Sequence, residues 1–467
     1  MYVNIIYVPE NGNRSSGSNS SANVRRRRFI QAVGASGVVA LAGCSGDENS
    51  GGGDGSDSDS SDGANTGSSD SVTLEMMWFS GQATEEQLQA FDDAIAAFED
   101  NTGHTVEVTK SGQVGQIVNQ TQSAVQAGEQ MNVSTIPAGA CQTMIVNNFL
   151  EPIDDRLSSA ETFSQSDFTR GKVDIASRDG SSYAVPVMSG HWGSLFYNPD
   201  MLEQAGYDPE NPNFETWPEF LDVAEDVKNE VGVQPVGMAG ADHIHNSVQW
   251  TGFYMTTGEN SWLTENKDDT ILDQDPGVRA AEFTEAAASR DLLPQGVVNM
   301  NASNLRELFI NEEIFAYQVG GFDNSIIKEQ TDMEFGITWN PQAPDGEASG
   351  FSGGLFYTIP RGAPSQEETW QLIEHLMRLE YLNGYAQLPP IRQNGLESFF
   401  EGTVDGMGRD VSEIFITEVQ NASFPTIHQN QGQMWSAQRT EIQEIMLGRK
   451  TGEEAMGDLA GRVRELL

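Results

Sequence analysis

The chain has 467 residues, 69 of them acidic and 25 basic, for a formal charge of −44 at neutral pH. So negative a chain excludes nucleic-acid binding, which needs a basic face to displace counterions, and it repels anionic lipid. Two cysteines exclude a disulfide framework and a cysteine-based zinc site, and the excess of acid over few lysines predicts a protein soluble in concentrated salt, from a halophilic source and an archaeon.

Residues 25–46 read RRRRFIQAVGASGVVALAGCSG. The uncharged run is shorter than the roughly 20 apolar residues that span a bilayer. A charged start, a short apolar middle and a small-residue end fit an export signal. Paired arginines before Phe29 point to the twin-arginine route, and LAGC resembles a lipobox, which makes Cys44 the expected lipidation site. Residues 1–24 match no export signal, which leaves open a start near Val24. The first segment is therefore 1–43, extension and signal; the second, 44–71, holds nothing apolar larger than Ala after Cys44 and is predicted to be a disordered tether of about 30 Å root-mean-square reach. DSDSSDG within it lacks the spacing and closing Glu of a calcium loop.

Strand-like VTLEMMWFSG (72–81) opens the folded body. Thr84 and Gln87 have capping-box spacing, and Leu88, Phe91, Ile95 and Phe98 fall on one helical face. HTVEVT (104–109) alternates as a strand does, and GQIVNQTQSAVQAG returns to helical period, giving the βαβα order of a parallel sheet with flanking helices. Thr216 with Glu219, and Ser365 with Glu368, repeat the capping device ahead of two further helices. Asn119, Asn132, Asn301 and Asn421 have the acceptor pattern for glycans on an exported protein, as do Asn13 and Asn19 ahead of the signal.

LFYNPDMLEQAGYDPENPNFETWPEFLDVAEDV (195–227) resembles the signature of the family 1 extracellular solute-binding proteins, the maltose-binding-protein-like ligand receptors of ABC importers. LRELFINEEIFAYQVGGFDNSI (305–326), FSGGLFYTIPRGAPSQEETWQLIEHLM (351–377) and YAVPV (183–187) resemble further segments of that family in the expected order. The resemblance implies an α/β fold of two lobes, the type II periplasmic-binding-protein architecture, joined by three chain crossings. Its lobes are expected at 72–184 plus 356–392 and at 185–355 plus 393–467. It also implies a carbohydrate ligand held in the cleft, no cofactor, a monomer, and permease and ATPase subunits as partners on a lipid-anchored, extracellular protein.

A sugar presents apolar C–H faces and a rim of hydroxyls, so aromatic surfaces and fixed polar groups are the expected contacts. Trp78 closes the first strand, at the end that faces the crevice in open α/β sheets. His191 and Trp192 follow the first crossing; Trp250 is a candidate in NSVQWTGFY; Gly321, Phe322 and Asp323 match the family's glycine-aromatic turn. Gly353 and Gly354 precede a crossing strand, and Arg392 stands at the third crossing, where an anionic ligand or ligand hydroxyls would meet it. Trp217, in a capping context, is read as packing.

Two rival readings are a binding protein for glycerol phosphate or another polyol phosphate, and, in a different class, a lipid-anchored hydrolase. GFSGG (350–354) has the spacing of a nucleophile elbow, but strand-like LFYTIP follows Ser352 where an elbow needs a helix. His243 and His245 offer two imidazoles without evident further ligands, and no phosphate-binding Gly-x-x-x-x-Gly-Lys loop is present, so any ATP-driven step belongs to another subunit. The expectation is no enzyme and no metal.

Overall fold

The computed structural model describes residues 71–467 except 82, 170–171, 213, 397–408 and 426. The signal, Cys44 and the tether lie outside the described residues.

Thirteen strands organise the described residues: β1 Thr73–Phe79, β2 Thr105–Ser111, β3 Val133–Pro137, β4 Ser177–Arg178, β5 Ser181–Ser182, β6 Ala184–Met188, β7 His191–Trp192, β8 Ser194–Tyr197, β9 Val236–Gly237, β10 Ala316–Val319, β11 Gly336–Trp339, β12 Phe351–Ser352 and β13 Leu355–Thr358. The first sheet has the order β2-β1-β3-β13-β6, the second β11-β8-β10-β9. β1 pairs in parallel with β2 and β3, as alternating strands and helices predict. β13 is antiparallel to β3 and β6. It reaches the sheet from the other side of the molecule rather than through a helical crossover, so nothing forces it into parallel register.

The local signals explain the helices that flank the sheets. Helix Glu85–Thr102 starts at the Thr84–Gln87 capping box and ends where Gly103 adopts φ +76°. Its buried face is Phe91, Ala94, Ile95 and Phe98, with Leu88 half-buried. The Thr216–Glu219 box opens helix Trp217–Val231, and Trp217 packs flat on Phe283, with ring centroids 5.1 Å apart. Helix Gln366–Leu376 departs from expectation. Ser365 sits at φ +48° and its side chain makes no cap; its hydroxyl is turned from the helix by that left-handed backbone.

Asn132 corrects another expectation. It is fully buried, and its amide donates to the Pro364 carbonyl at 2.7 Å and to Thr369 Oγ1 at 2.9 Å, so the folded protein has no room for a glycan there.

Each sheet has its own flanking helices, and among the described residues the chain passes between the two at β6–β8 and at β11–β13, which makes the two-lobed α/β architecture expected of the type II periplasmic-binding-protein fold.

Candidate functional site

β7 lies between β6 of the first sheet and β8 of the second; β12 lies between β11 of the second and β13 of the first. These two short strands pair with each other, Phe351 opposite Trp192 and Ser352 opposite His191, as a two-strand ribbon where two crossings run side by side. Glycine is required at its edge. Gly354 has φ +148°, and a Cβ there would stand 2.3 Å from the Met188 carbonyl oxygen.

Six of the expected site residues gather at this ribbon. The Gly353 N–H donates to the Gly190 carbonyl at 2.9 Å, beside Gly354. Trp192 meets Phe322 edge-on at 5.6 Å and His245 at 5.1 Å. A Cβ on Gly321 would lie 2.6 Å from the Phe415 ring, which in turn meets His191 at 6.2 Å. Burial lowers the His191 pKa to about 4, opposed by its contact with the Ser189 carbonyl and reinforced by Lys172, so the ring is neutral at pH 7.

The other four lie elsewhere or are engaged. Trp78 is fully buried and stacked on Phe91 at 3.8 Å, inside the layer between the first sheet and its helix, so it offers no face to a ligand in this structure. Trp250 stacks on Tyr254 at 5.8 Å and meets Trp262 edge-on in the second lobe's core. Asp323, 1 % exposed, accepts from Arg306 at 2.7 Å and from the Tyr317 hydroxyl at 2.8 Å, so its two oxygens serve the protein rather than ligand hydroxyls. Arg392 donates to the carbonyls of Met377 at 2.6 Å and Thr162 at 3.1 Å and stands 3.7 Å from Asp167. It fastens the segment before Gly395 to the first lobe.

Two residues at the site had not been singled out. Lys172, 1 % exposed, reaches the ribbon from a short helix beside the first sheet. Its Nζ donates to the Ser352 carbonyl at 2.8 Å, the Gly353 carbonyl at 3.1 Å and the Ser352 hydroxyl, which also bonds Ser189 Oγ at 2.7 Å. Burial pulls its pKa down to about 7. Strands flank Ser352 on both sides, so the GFSGG segment has strand–ribbon geometry rather than that of an elbow. The two imidazoles of HIH are likewise engaged: Nδ1 of His243 accepts from the His245 N–H and Nδ1 of His245 from the Ala302 N–H, each at 3.2 Å.

The second is Trp435, on helix Gln431–Met446. It packs against Phe351 and Phe424, each at 5.9 Å, and its ring lies 3.8 Å from where a Cβ would stand on Gly139, in the helix that follows β3. This side chain therefore touches both lobes. The sequence signal was weak, a tryptophan on a helix whose flanking residues are mostly polar.

Residues 93–395 match the family model described as bacterial extracellular solute-binding protein. Among curated relatives, a lactose-binding protein of Rhizobium radiobacter is 38% identical over 77 residues, 16% of this chain and 18% of that one. An sn-glycerol-3-phosphate-binding periplasmic protein of Agrobacterium fabrum is 27% identical over 243 residues, 50% of this chain and 51% of that one. The chain thus spans about half, or less, of the length of these relatives. Among solved structures, a cyclic α-maltosyl-1,6-maltose binding protein of Arthrobacter globiformis superposes with a TM-score of 0.72 at 15% identity, covering 85% of this chain and 98% of that one. An ABC transporter solute-binding protein of Thermotoga lettingae, bound with α-D-tagatose, gives 0.69 at 21% identity, covering 85% and 100%.

Proposed function

The chain belongs to the bacterial extracellular solute-binding proteins, and from that premise we propose that it is the substrate-binding subunit of an ABC importer, capturing a sugar or oligosaccharide between its lobes and delivering it to a permease. The observation that carries this reading is the ribbon seam, where the aromatic rings of Trp192, Phe322 and Trp435 and the neutral imidazole of His191 stand among segments from both lobes. Flat rings beside polar groups suit a ligand with apolar faces and hydroxyl edges. The names of the relatives and the ligands of the solved neighbours support the same class.

His191, Trp192, Gly321, Phe322, Gly353, Gly354 and Trp435 are carried forward as ligand contacts. Trp78, Trp250, Asp323 and Arg392 are assigned to packing and to lobe geometry. The lobes are expected to divide at 72–184 plus 356–392 and 185–355 plus 393–467; because β6 (Ala184–Met188) and β13 (Leu355–Thr358) pair within the first sheet, the boundaries are moved to after Met188 and before Leu355. Ligand present in the cleft favours the closed arrangement because only that arrangement makes contacts from both sides. An exported protein of this family works outside the cell; the twin-arginine signal, lipid on Cys44, the tether, the high-salt setting and a monomeric state complete the proposal.

The test is calorimetry with a panel of sugars in concentrated salt, together with small-angle scattering. A bound sugar is expected to shrink the radius of gyration. If no sugar releases heat and the scattering curve never changes, the reading fails.

A further inference from the structure

A cavity of about 360 Å³ lies along the seam from Trp435, at the lower end of the volumes that hold small ligands. Gln142, Arg178 and Asp179 line it from the first lobe, and Lys267, His428 and Gln429 from the second. Gln142 is three residues from Gly139 on the same helix, so it lies on the face that meets Trp435, one turn further along. Thr143 Oγ1 donates to the Gln429 carbonyl at 3.2 Å and ties the two sides together there.

The lining sets two cations, Arg178 and Lys267, against one carboxylate, Asp179, in a chain with a formal charge of −44. Lys267 has no carboxylate within 4 Å among the described residues; its Nζ donates to the Ile427 carbonyl at 3.1 Å and keeps other N–H groups to give. It sits at φ +59°, a backbone region that lysine seldom adopts, at the tip of a turn closed by the Leu263–Thr270 bridge. Two of the three acids of that turn are engaged, Asp268 accepting from Thr264 and Asp269 from Arg464, and the third, Glu265, is exposed. Among the described residues Arg178 pairs with Asp179, which also lines the cavity, through Nε at 3.6 Å, so its terminal amino groups remain to donate. His428 Nδ1 accepts the Asn430 N–H at 3.2 Å, which places the neutral ring's proton on Nε2 as a further donor. Two cations and a neutral donor, from opposite lobes, thus line one sugar-sized space against the single carboxylate of Asp179.

We propose that this cavity is a subsite for an anionic group, carboxylate or phosphate, carried by the sugar that the seam binds. The inference rests on the sugar-binding reading and narrows it to acidic sugars or sugar phosphates. Because the donors come from both lobes, the anion would also draw the lobes together.

Calorimetry on the full chain decides it, with maltose, digalacturonate, glucose 1-phosphate and inorganic phosphate as probes, for the parent and the Arg178→Gln/Lys267→Gln variant. One anionic sugar is expected to bind at least tenfold more tightly than maltose, and the variant to lose at least that factor for it while maltose affinity and the unfolding midpoint stay unchanged. Digalacturonate as the favoured probe assigns a carboxylate, glucose 1-phosphate a phosphate. Equal affinity for charged and neutral sugars, or an anionic sugar held equally well by the variant, overturns the subsite. Binding of inorganic phosphate alone, lost in the variant and with no sugar bound, supports the anion site but breaks the sugar reading. Silence from every probe breaks both.

Discussion

Trp78 and Trp435 are both buried tryptophans, yet their surroundings give them different work. Trp78 is 0% exposed and stacked on Phe91 within the layer of one lobe. Trp435 is 6% exposed and lies between Phe351 and Phe424 on one side and Gly139 of the other lobe. Burial alone does not separate them. What separates them is whether the neighbours of the ring belong to one rigid body or to two that move against each other. A ring whose contacts stay within one lobe keeps them through opening and closing, so it contributes to stability. A ring shared by two lobes loses contacts when the cleft opens, so its energy enters the closing equilibrium and hence the affinity.

The sharpest way to break that comparison is to truncate both. Trp78→Ala is expected to cost about 3–5 kcal/mol of unfolding free energy through the cavity it leaves, with sugar affinity unchanged in whatever fraction remains folded. Denaturant unfolding and calorimetry on the same sample check it; a large affinity loss at full stability would make Trp78 a ligand contact after all. Trp435→Ala is expected to do the opposite. Affinity should fall ten- to a hundredfold, about 1.4–2.8 kcal/mol, while stability falls by less than for Trp78→Ala.

Lys172 sharpens the comparison from the polar side. It belongs to the first lobe, but among the described residues its hydrogen-bond partners, Ser352 and Gly353, lie on or beside the ribbon between lobes. Its pKa falls from the ordinary 10.5 to about 7 through burial. Between those values the unfolded chain carries the proton and the folded chain does not, so the unfolded state binds more protons and stability rises with pH. The slope should reach at most about 1.4 kcal/mol per pH unit, since one proton is involved. The three oxygens that accept from Nζ favour the ammonium and shrink the effect. Denaturant unfolding at pH 7 and pH 9.5 measures it, and Lys172→Met should flatten that part of the curve. A stability that declines over the same window would mean that the ammonium is the form the ribbon holds.

The same division governs what could be read in advance. The face Phe91, Ile95 and Phe98, the capping box at Thr84 and the first strand run are local patterns, each fixed within a few residues, and they form, the strand ending at Phe79, one residue past the expected Trp78. Family segments brought Phe322 to the pair His191–Trp192, although about 130 residues separate them in the chain. Lys172 and Trp435 escaped because their meaning depends on partners some 180 residues away for Lys172 and about 300 for Trp435. Trp78 was misjudged for a related reason. The end of a strand points towards the crevice, but in a strand successive side chains alternate faces, and the ring took the face that packs on Phe91.

The smallest expected effect concerns two caps that look alike in sequence. Thr84 and Ser365 each precede a helix with a matching polar residue three places on. Thr84 Oγ1 accepts from the Gln87 N–H at 3.2 Å, and the Gln87 side chain returns the bond to the Thr84 N–H at 3.0 Å. The Ser365 hydroxyl makes no such bond, because φ +48° turns the residue away from the extended backbone that a capping side chain needs. Thr84→Ala should therefore cost about 1 kcal/mol and Ser365→Ala close to nothing, whereas Ser365→Gly should stabilise by about 0.4–1 kcal/mol by relieving the left-handed conformation. Thermal unfolding of the three variants orders them. Equal losses for Thr84→Ala and Ser365→Ala would mean that the spacing, rather than the backbone angle, decides whether a cap forms.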